Sequence, residues 1–112
     1  MGNTKRKSAR ASRVKARAFL DTLIGEPLTF GSMLATIRDT DGYTLDVLAR
    51  KLGVSRSHLC DVEKGRRGVS LDRAVRWAAV LGYPAPVFVQ LALQDQVNAA
   101  GLRLRVDVKS AA

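Results

Sequence analysis

Two short helical patterns separated by a glycine constrain this chain more than any other feature. Residues 43–71 read YTLDVLARKLGVSRSHLCDVEKGRRGVSL. Thr44 can cap a first helix, whose apolar residues recur at helical spacing up to Leu52 before Gly53 ends it. A second helical pattern follows after only two residues. The segment is therefore predicted to form two helices around a tight turn.

The second helix is predicted to be capped by Ser55, to run from Arg56 to Lys64, and to end at Gly65. Its apolar residues are Leu59 and Val62. Burial of these two residues turns the opposite side of a 3.6-residue repeat toward solvent. The residues on that outer side are Arg56, Ser57, Cys60 and Asp61. Such a layout is typical of a helix-turn-helix whose second helix enters the major groove of DNA.

Residues 29–83 resemble the lambda-repressor-like domain of the Cro and xenobiotic-response-element family of helix-turn-helix regulators. The residues that carry the resemblance are Thr44, Leu48, Ala49, Leu52, Gly53, Val54, Ser55, Ser57, Leu59, Val62, Glu63, Gly65, Ser70, Leu71, Ala78, Leu81 and Gly82. The resemblance implies a five-helix domain that binds DNA.

The other helices of that domain are predicted from the same periodicity. A first helix, capped by Thr29 and closed by Asp41-Gly42, has apolar residues at Phe30, Met33, Leu34 and Ile37. A fourth, capped by Ser70, is expected to bury Leu71, Ala74, Val75, Ala78 and Leu81, with Trp77 in the core or at its margin. A fifth follows Pro84 and Pro86 with the apolar run Val87, Phe88, Leu91 and Ala92, and ends at Gly101.

The length of 112 residues, with 46% hydrophobic content, is enough for one core. We expect an all-α fold: the five-helix lambda-repressor-like domain over residues 18–101, an additional N-terminal helix within residues 12–24, and a C-terminal dimerising β-strand. Residues 1–17 are interpreted as a basic arm and residues 102–112 as the strand and tail.

Charge is concentrated at the N-terminus. Seven of the 19 Lys and Arg residues precede Phe19, and the first acidic residue is Asp21. The arm thus supplies most of the net charge of +9. Two interpretations remain open: an arm that neutralises DNA phosphates, or a solvated leader that keeps the protein in solution.

The C-terminal segment alternates apolar and charged residues over 102–109, which is typical of a strand. A lone strand would leave its backbone groups unpaired. We therefore hypothesise antiparallel pairing with a second subunit, with dimerisation through Leu102, Leu104, Val106 and Val108. The alternatives are a disordered tail and strand addition onto a different protein.

Base reading is assigned to Arg56, Ser57 and Asp61, because the resemblance implies base contacts at these positions. The guanidinium of Arg56 can donate twice to guanine O6 and N7. Asp61 could accept from cytosine N4, hold Arg56, or pair with a basic neighbour. The resemblance also implies a structural ion pair between Arg38 and Glu63.

Phosphate contacts are expected from residues at the helix ends and in the turn after the second helix. These residues are Thr44, Ser55, His58, Lys64, Arg66 and Arg67.

Other classes of function lack their signatures. The chain has no nucleophile, histidine and acid arrangement, no phosphate-cradling glycine loop and no acidic cluster for magnesium, so an enzyme is not expected. His58 and Cys60 have no companions at ligand spacing, so neither a metal nor a cofactor is expected. No stretch is apolar enough to cross a bilayer, and a lone cysteine without a signal peptide favours a reducing cytoplasm.

The sequence therefore predicts a homodimeric transcriptional repressor that reads a palindromic operator in double-stranded DNA through the helix at residues 55–64. The alternative is an antitoxin that neutralises a toxin protein and autoregulates its operon.

Overall fold

The structure is a computed structural model and describes residues 28–111. Five helices follow one another in this part of the chain: α1 (Phe30–Thr40), α2 (Leu45–Leu52), α3 (Arg56–Glu63), α4 (Leu71–Leu81) and α5 (Ala85–Ala99). The predicted all-α helix-turn-helix fold is confirmed. The basic arm and the N-terminal helix predicted within residues 12–24 lie outside the described residues.

Four of the helices begin at hydroxyl caps, as predicted. Thr29, Thr44, Ser55 and Ser70 have extended backbones, and each side chain accepts a hydrogen bond from the amide three residues later. Such caps satisfy backbone donors that the first turn of a helix leaves free. Gly53, with φ of 75°, ends α2 in the left-handed conformation that most residues avoid. Residues next to each helix thus specify the starts of these four helices and the end of α2.

One hydrophobic core joins the helices. Its largest fully buried side chains are Phe30, Phe88, Met33, Leu34, Leu48, Leu59 and Val62. The ring of Phe30 packs against Trp77 of α4 and, edge-on, against Phe88 of α5, with centroid separations of 6.2 and 5.5 Å. Aromatic contacts of this kind add to the stability gained from burial. The cluster ties the first helix to the last two.

The buried face of α4 differs from the prediction at two positions. Ala74, Ala78 and Leu81 are buried as expected, but Leu71 is 39% exposed and Val75 is 44% exposed. Trp77 is only 3% exposed. Because the large indole of Trp77 is buried, the apolar stripe that faces the core is formed by residues 74, 77, 78 and 81 and excludes Leu71 and Val75.

The predicted C-terminal strand is wrong, because residues 102–111 contain no strand. The extended segment instead lies along α5. The amide of Val106 donates to Gln94 Oε1 at 2.7 Å, and the amide of Val108 donates to Gln90 Oε1 at 3.0 Å. Gln94 Nε2 in turn donates to the carbonyl of Leu104 at 2.8 Å.

The alternating pattern has a different physical basis from the one expected. Gln90 and Gln94 are four residues apart and share one face of α5. Their amides satisfy backbone groups on one edge of the extended segment, a task that a neighbouring strand would perform in a sheet. The segment therefore does not require a second subunit to meet the hydrogen bonds of that edge.

Candidate nucleic-acid interface

The interface begins with the way α3 is fixed on the domain. Leu59 and Val62 are 0% and 2% exposed, so α3 rests on the core by these two side chains. Gly53 and Val54 make the turn that sets α3 against α2. The amide of Val54 donates to the carbonyl of Ala49 at 3.0 Å. The first turn of α3 consequently projects Arg56 and Ser57 into solvent. This placement agrees with the outer face expected from the helical repeat.

Arg56 is available for a ligand. Its side chain is 65% exposed, and its Nη1 lies 3.8 Å from Oδ2 of Asp46 in α2. An exposed pair at that separation contributes little to stability. The guanidinium can therefore leave Asp46 for a base edge at small cost.

Asp61 is engaged by a basic neighbour. Its Oδ1 accepts from Arg66 Nε at 3.0 Å, and its backbone carbonyl accepts from the Arg66 amide at 2.8 Å. The structure therefore contains the pairing of Asp61 with a basic neighbour. Asp61 does not hold Arg56, which lies beside Asp46. The Asp61–Arg66 pair fixes the turn that follows α3.

The residues expected to contact phosphate fall into three groups. Thr44 and Ser55 are exposed at the N-terminal ends of α2 and α3, where their hydroxyls already accept from backbone amides. Lys64, Arg66 and Arg67 are exposed at the end of α3 and in the following turn. His58 is only partly exposed, and its ring is turned toward α4.

The Arg38–Glu63 ion pair connects α1 to the last residue of α3. Arg38 Nε and Nη2 donate to the two carboxylate oxygens of Glu63 at 2.8 and 3.1 Å, and Nη1 donates to the carbonyl of Tyr43 at 3.4 Å. The pKa of Arg38 is raised, chiefly by its hydrogen bond to Glu63. The guanidinium thus holds both α3 and the loop before α2.

Sequence reasoning missed Arg73, which lies in the first turn of α4. Its Nη1 is 3.2 Å from Nε2 of His58. In the sequence Arg73 looks like one of several cations on the surface of a helix. The Ser70 cap could have indicated it, because the cap places Arg73 in the first turn of α4. That turn follows directly on the segment that carries Arg66 and Arg67.

A metal centre or a membrane span would require features that residues 28–111 do not contain. This range holds no group of three or more His, Cys, Asp or Glu side chains placed to bind a metal. Its helices are too short or too polar to span a membrane.

Comparison with known proteins agrees with this geometry. Residues 34–88, from α1 to the start of α5, match the family model described as Helix-turn-helix. The chain therefore carries a helix-turn-helix domain of the lambda-repressor-like family.

A similar protein is known in Thermococcus kodakarensis. It bears the provisional name HTH-type transcriptional regulatory protein and is 44% identical to this chain over 46 residues. The match covers 41% of this chain and 14% of that relative. The similarity is thus confined to a region of about the size of the helix-turn-helix domain.

Proposed function

We propose that this protein is a sequence-specific, DNA-binding transcriptional regulator that acts as a homodimeric repressor on a palindromic operator. The observation that carries the proposal is the exposed first turn of α3, with Arg56 and Ser57 held outward by the buried Leu59 and Val62. An α-helix of this kind fits the major groove, where each base pair presents a distinct set of donors and acceptors.

Arg56 is the principal base-reading residue in this proposal. A guanidinium can donate two hydrogen bonds to guanine, and one such contact discriminates against a wrong base by about 1 to 3 kcal/mol. Ser57 is exposed beside it and can donate to or accept from a base. Asp61 shares its carboxylate with Arg66, which contacts Oδ1, so its contribution to base reading is expected to be smaller than that of Arg56.

The charge around α3 supports binding to the DNA backbone. Lys64, Arg66 and Arg67 are exposed together after the reading helix. They would face phosphates flanking the groove that α3 enters, while the first turns of α2 and α3 offer helix N-termini with capping hydroxyls. The contacts from these cations should make the affinity strongly dependent on salt.

The homodimer follows from the size of the reading surface. A single first turn of α3 contacts few base pairs, whereas two domains related by a two-fold axis read half-sites about 34 Å apart. Leu102 and Leu104 are 51% and 61% exposed, although their backbone lies along α5. These two side chains are the contact surface we propose between subunits, by packing of apolar groups.

Selection from a random duplex library, followed by footprinting, tests the proposed function. The wild-type protein should select a palindromic site, and Arg56→Ala should lower the affinity for that site by about tenfold or more. Arg105→Ala is the matched control, since it removes an exposed cation from the C-terminal segment. Equal binding to all duplexes, unchanged by Arg56→Ala, would refute the proposal.

A further inference from the structure

Arg73 and His58 connect the first turns of two helices. His58 is the third residue of α3 and Arg73 the third residue of α4, and each backbone amide donates to the serine that caps its helix. Arg73 Nη1 lies 3.2 Å from His58 Nε2. The guanidinium carbon of Arg73 lies 5.9 Å from the centroid of Trp77, and the His58 ring lies 6.4 Å from the same ring. The arginine is thus oriented by two aromatic neighbours.

The chemistry of this contact determines the state of His58. An arginine can only donate hydrogen bonds, so Nε2 of His58 must accept and the neutral ring carries its proton on Nδ1. The pKa of His58 is lowered by burial and, to a smaller degree, by the charges of Arg67 and Arg73, while Asp61 acts in the opposite direction. The neutral imidazole is therefore the form that suits the site.

The positive charge at this position is not balanced within the described part of the chain. Across residues 28–111, no carboxylate lies within ion-pair distance of Arg67 or Arg73. Asp61 already binds Arg66, and Asp72 lies 3.8 Å from Arg76. A guanidinium that has no carboxylate partner among residues 28–111 and lies next to a neutral histidine suits a phosphate group, which offers several acceptor oxygens.

We infer that Arg73 binds a phosphate of the DNA backbone and that His58 and Trp77 are the residues that position its guanidinium. The inference rests on the proposed DNA-binding function and extends the contact surface from the two helices of the motif to α4. His58 acts in this site as an acceptor for Arg73 through Nε2.

The salt dependence of DNA binding tests the role of Arg73. Affinity falls as salt is added, and loss of one phosphate contact makes the negative slope of log affinity against log salt shallower by about 0.9. Arg73→Gln should show this shallower slope on a duplex that carries the selected site, with a loss of affinity at low salt. Arg105→Gln, which removes one exposed charge elsewhere, should leave the slope unchanged. Thermal melting, monitored by circular dichroism, verifies that both variants are folded.

The role of His58 is tested by combining substitutions. His58→Leu removes the acceptor and should weaken binding several-fold, whereas His58→Gln retains an acceptor oxygen and should restore most of the affinity. In an Arg73→Gln background, His58→Leu should have no further effect, because its contribution acts through Arg73. An equal loss from His58→Leu in both backgrounds would show that the histidine acts independently and would overturn the positioning role.

The outcomes separate this inference from the proposed function. If the wild-type protein binds no duplex, the proposed function fails. If the wild-type protein selects a site and Arg56→Ala weakens it, while Arg73→Gln has the same salt slope as Arg105→Gln, the assignment of Arg73 alone is wrong.

Discussion

Arg38 and Glu63 join the end of α1 to the end of α3 by a bidentate ion pair, with hydrogen bonds of 2.8 and 3.1 Å. The Glu63 side chain is 8% exposed and that of Arg38 is 26% exposed. Removal of one partner would leave the other charge partly buried without its counterion. The pair therefore controls how firmly α3 is held on the domain.

Glu63→Ala should lower the free energy of unfolding by about 2 kcal/mol, because it leaves the Arg38 guanidinium unpaired. Urea denaturation measures the change. Asp61→Ala, which breaks the more exposed pair with Arg66, is the comparison and should cost less than about 1 kcal/mol. Equal losses in the two variants would contradict the importance assigned to the Arg38–Glu63 pair.

Gly31→Ala should be strongly destabilising, by about 3 kcal/mol, because α1 approaches the backbone of α3 at this residue. An added Cβ would collide with the carbonyl oxygen of Val62 and lie 2.7 Å from that of Glu63. Gly68→Ala is the control, since an added Cβ there has no neighbour within 4 Å. Thermal melting of the two variants should separate them clearly, and a Gly31→Ala protein as stable as wild type would disprove the close approach.

Stability should decrease as the pH falls below about 6.5, in part because of His58. Burial, followed by Arg67 and Arg73, lowers the pKa of His58 in the folded protein from its ordinary value of 6.5. Between the lowered value and 6.5 the unfolded chain binds more protons than the folded one, so acid favours unfolding in that window and has no effect through this group above it. Urea denaturation from about pH 8 to pH 5 should show a steeper loss for the wild type than for His58→Gln. Parallel curves would mean that the histidine titrates alike in both states.

Gln94→Ala should release the middle of the C-terminal segment without unfolding the core. The amide of Val106 loses its acceptor, and a hydrogen bond worth about 1 kcal/mol corresponds to roughly a fivefold faster hydrogen exchange. NMR-detected exchange measures the rate at that amide. Gln96→Ala, an exposed glutamine of the same helix, should leave it unchanged. If Val106 exchanges equally in all three proteins, the segment is not held by Gln94.

The helices could be predicted from the sequence because their signals are local. A hydroxyl residue caps its own helix through an amide three residues later, so Thr29, Thr44, Ser55 and Ser70 marked the helix starts without knowledge of the fold. The exposure of Arg56 followed in the same way, since burial of Leu59 and Val62 determines which side of α3 faces outward.

The tail and part of the site could not be predicted because they depend on tertiary contacts. The alternation of residues 102–109 required a partner for the extended backbone but did not identify it, and the glutamines that serve are part of α5. The choice of Arg66 as the partner of Asp61 depends on the path of the turn after α3. The contact between His58 and Arg73 likewise depends on how α4 packs beside α3.

The attachment of the C-terminal segment has a consequence for how the molecule responds to its surroundings. Gln90 and Gln94 hold the segment through uncharged amides, which neither titrate nor attract counterions near neutral pH. The surface around α3, by contrast, carries cations whose interactions weaken as ions are added. Mild acid and added salt should therefore alter the surface around α3 while the attachment of the C-terminal segment to α5 stays in place.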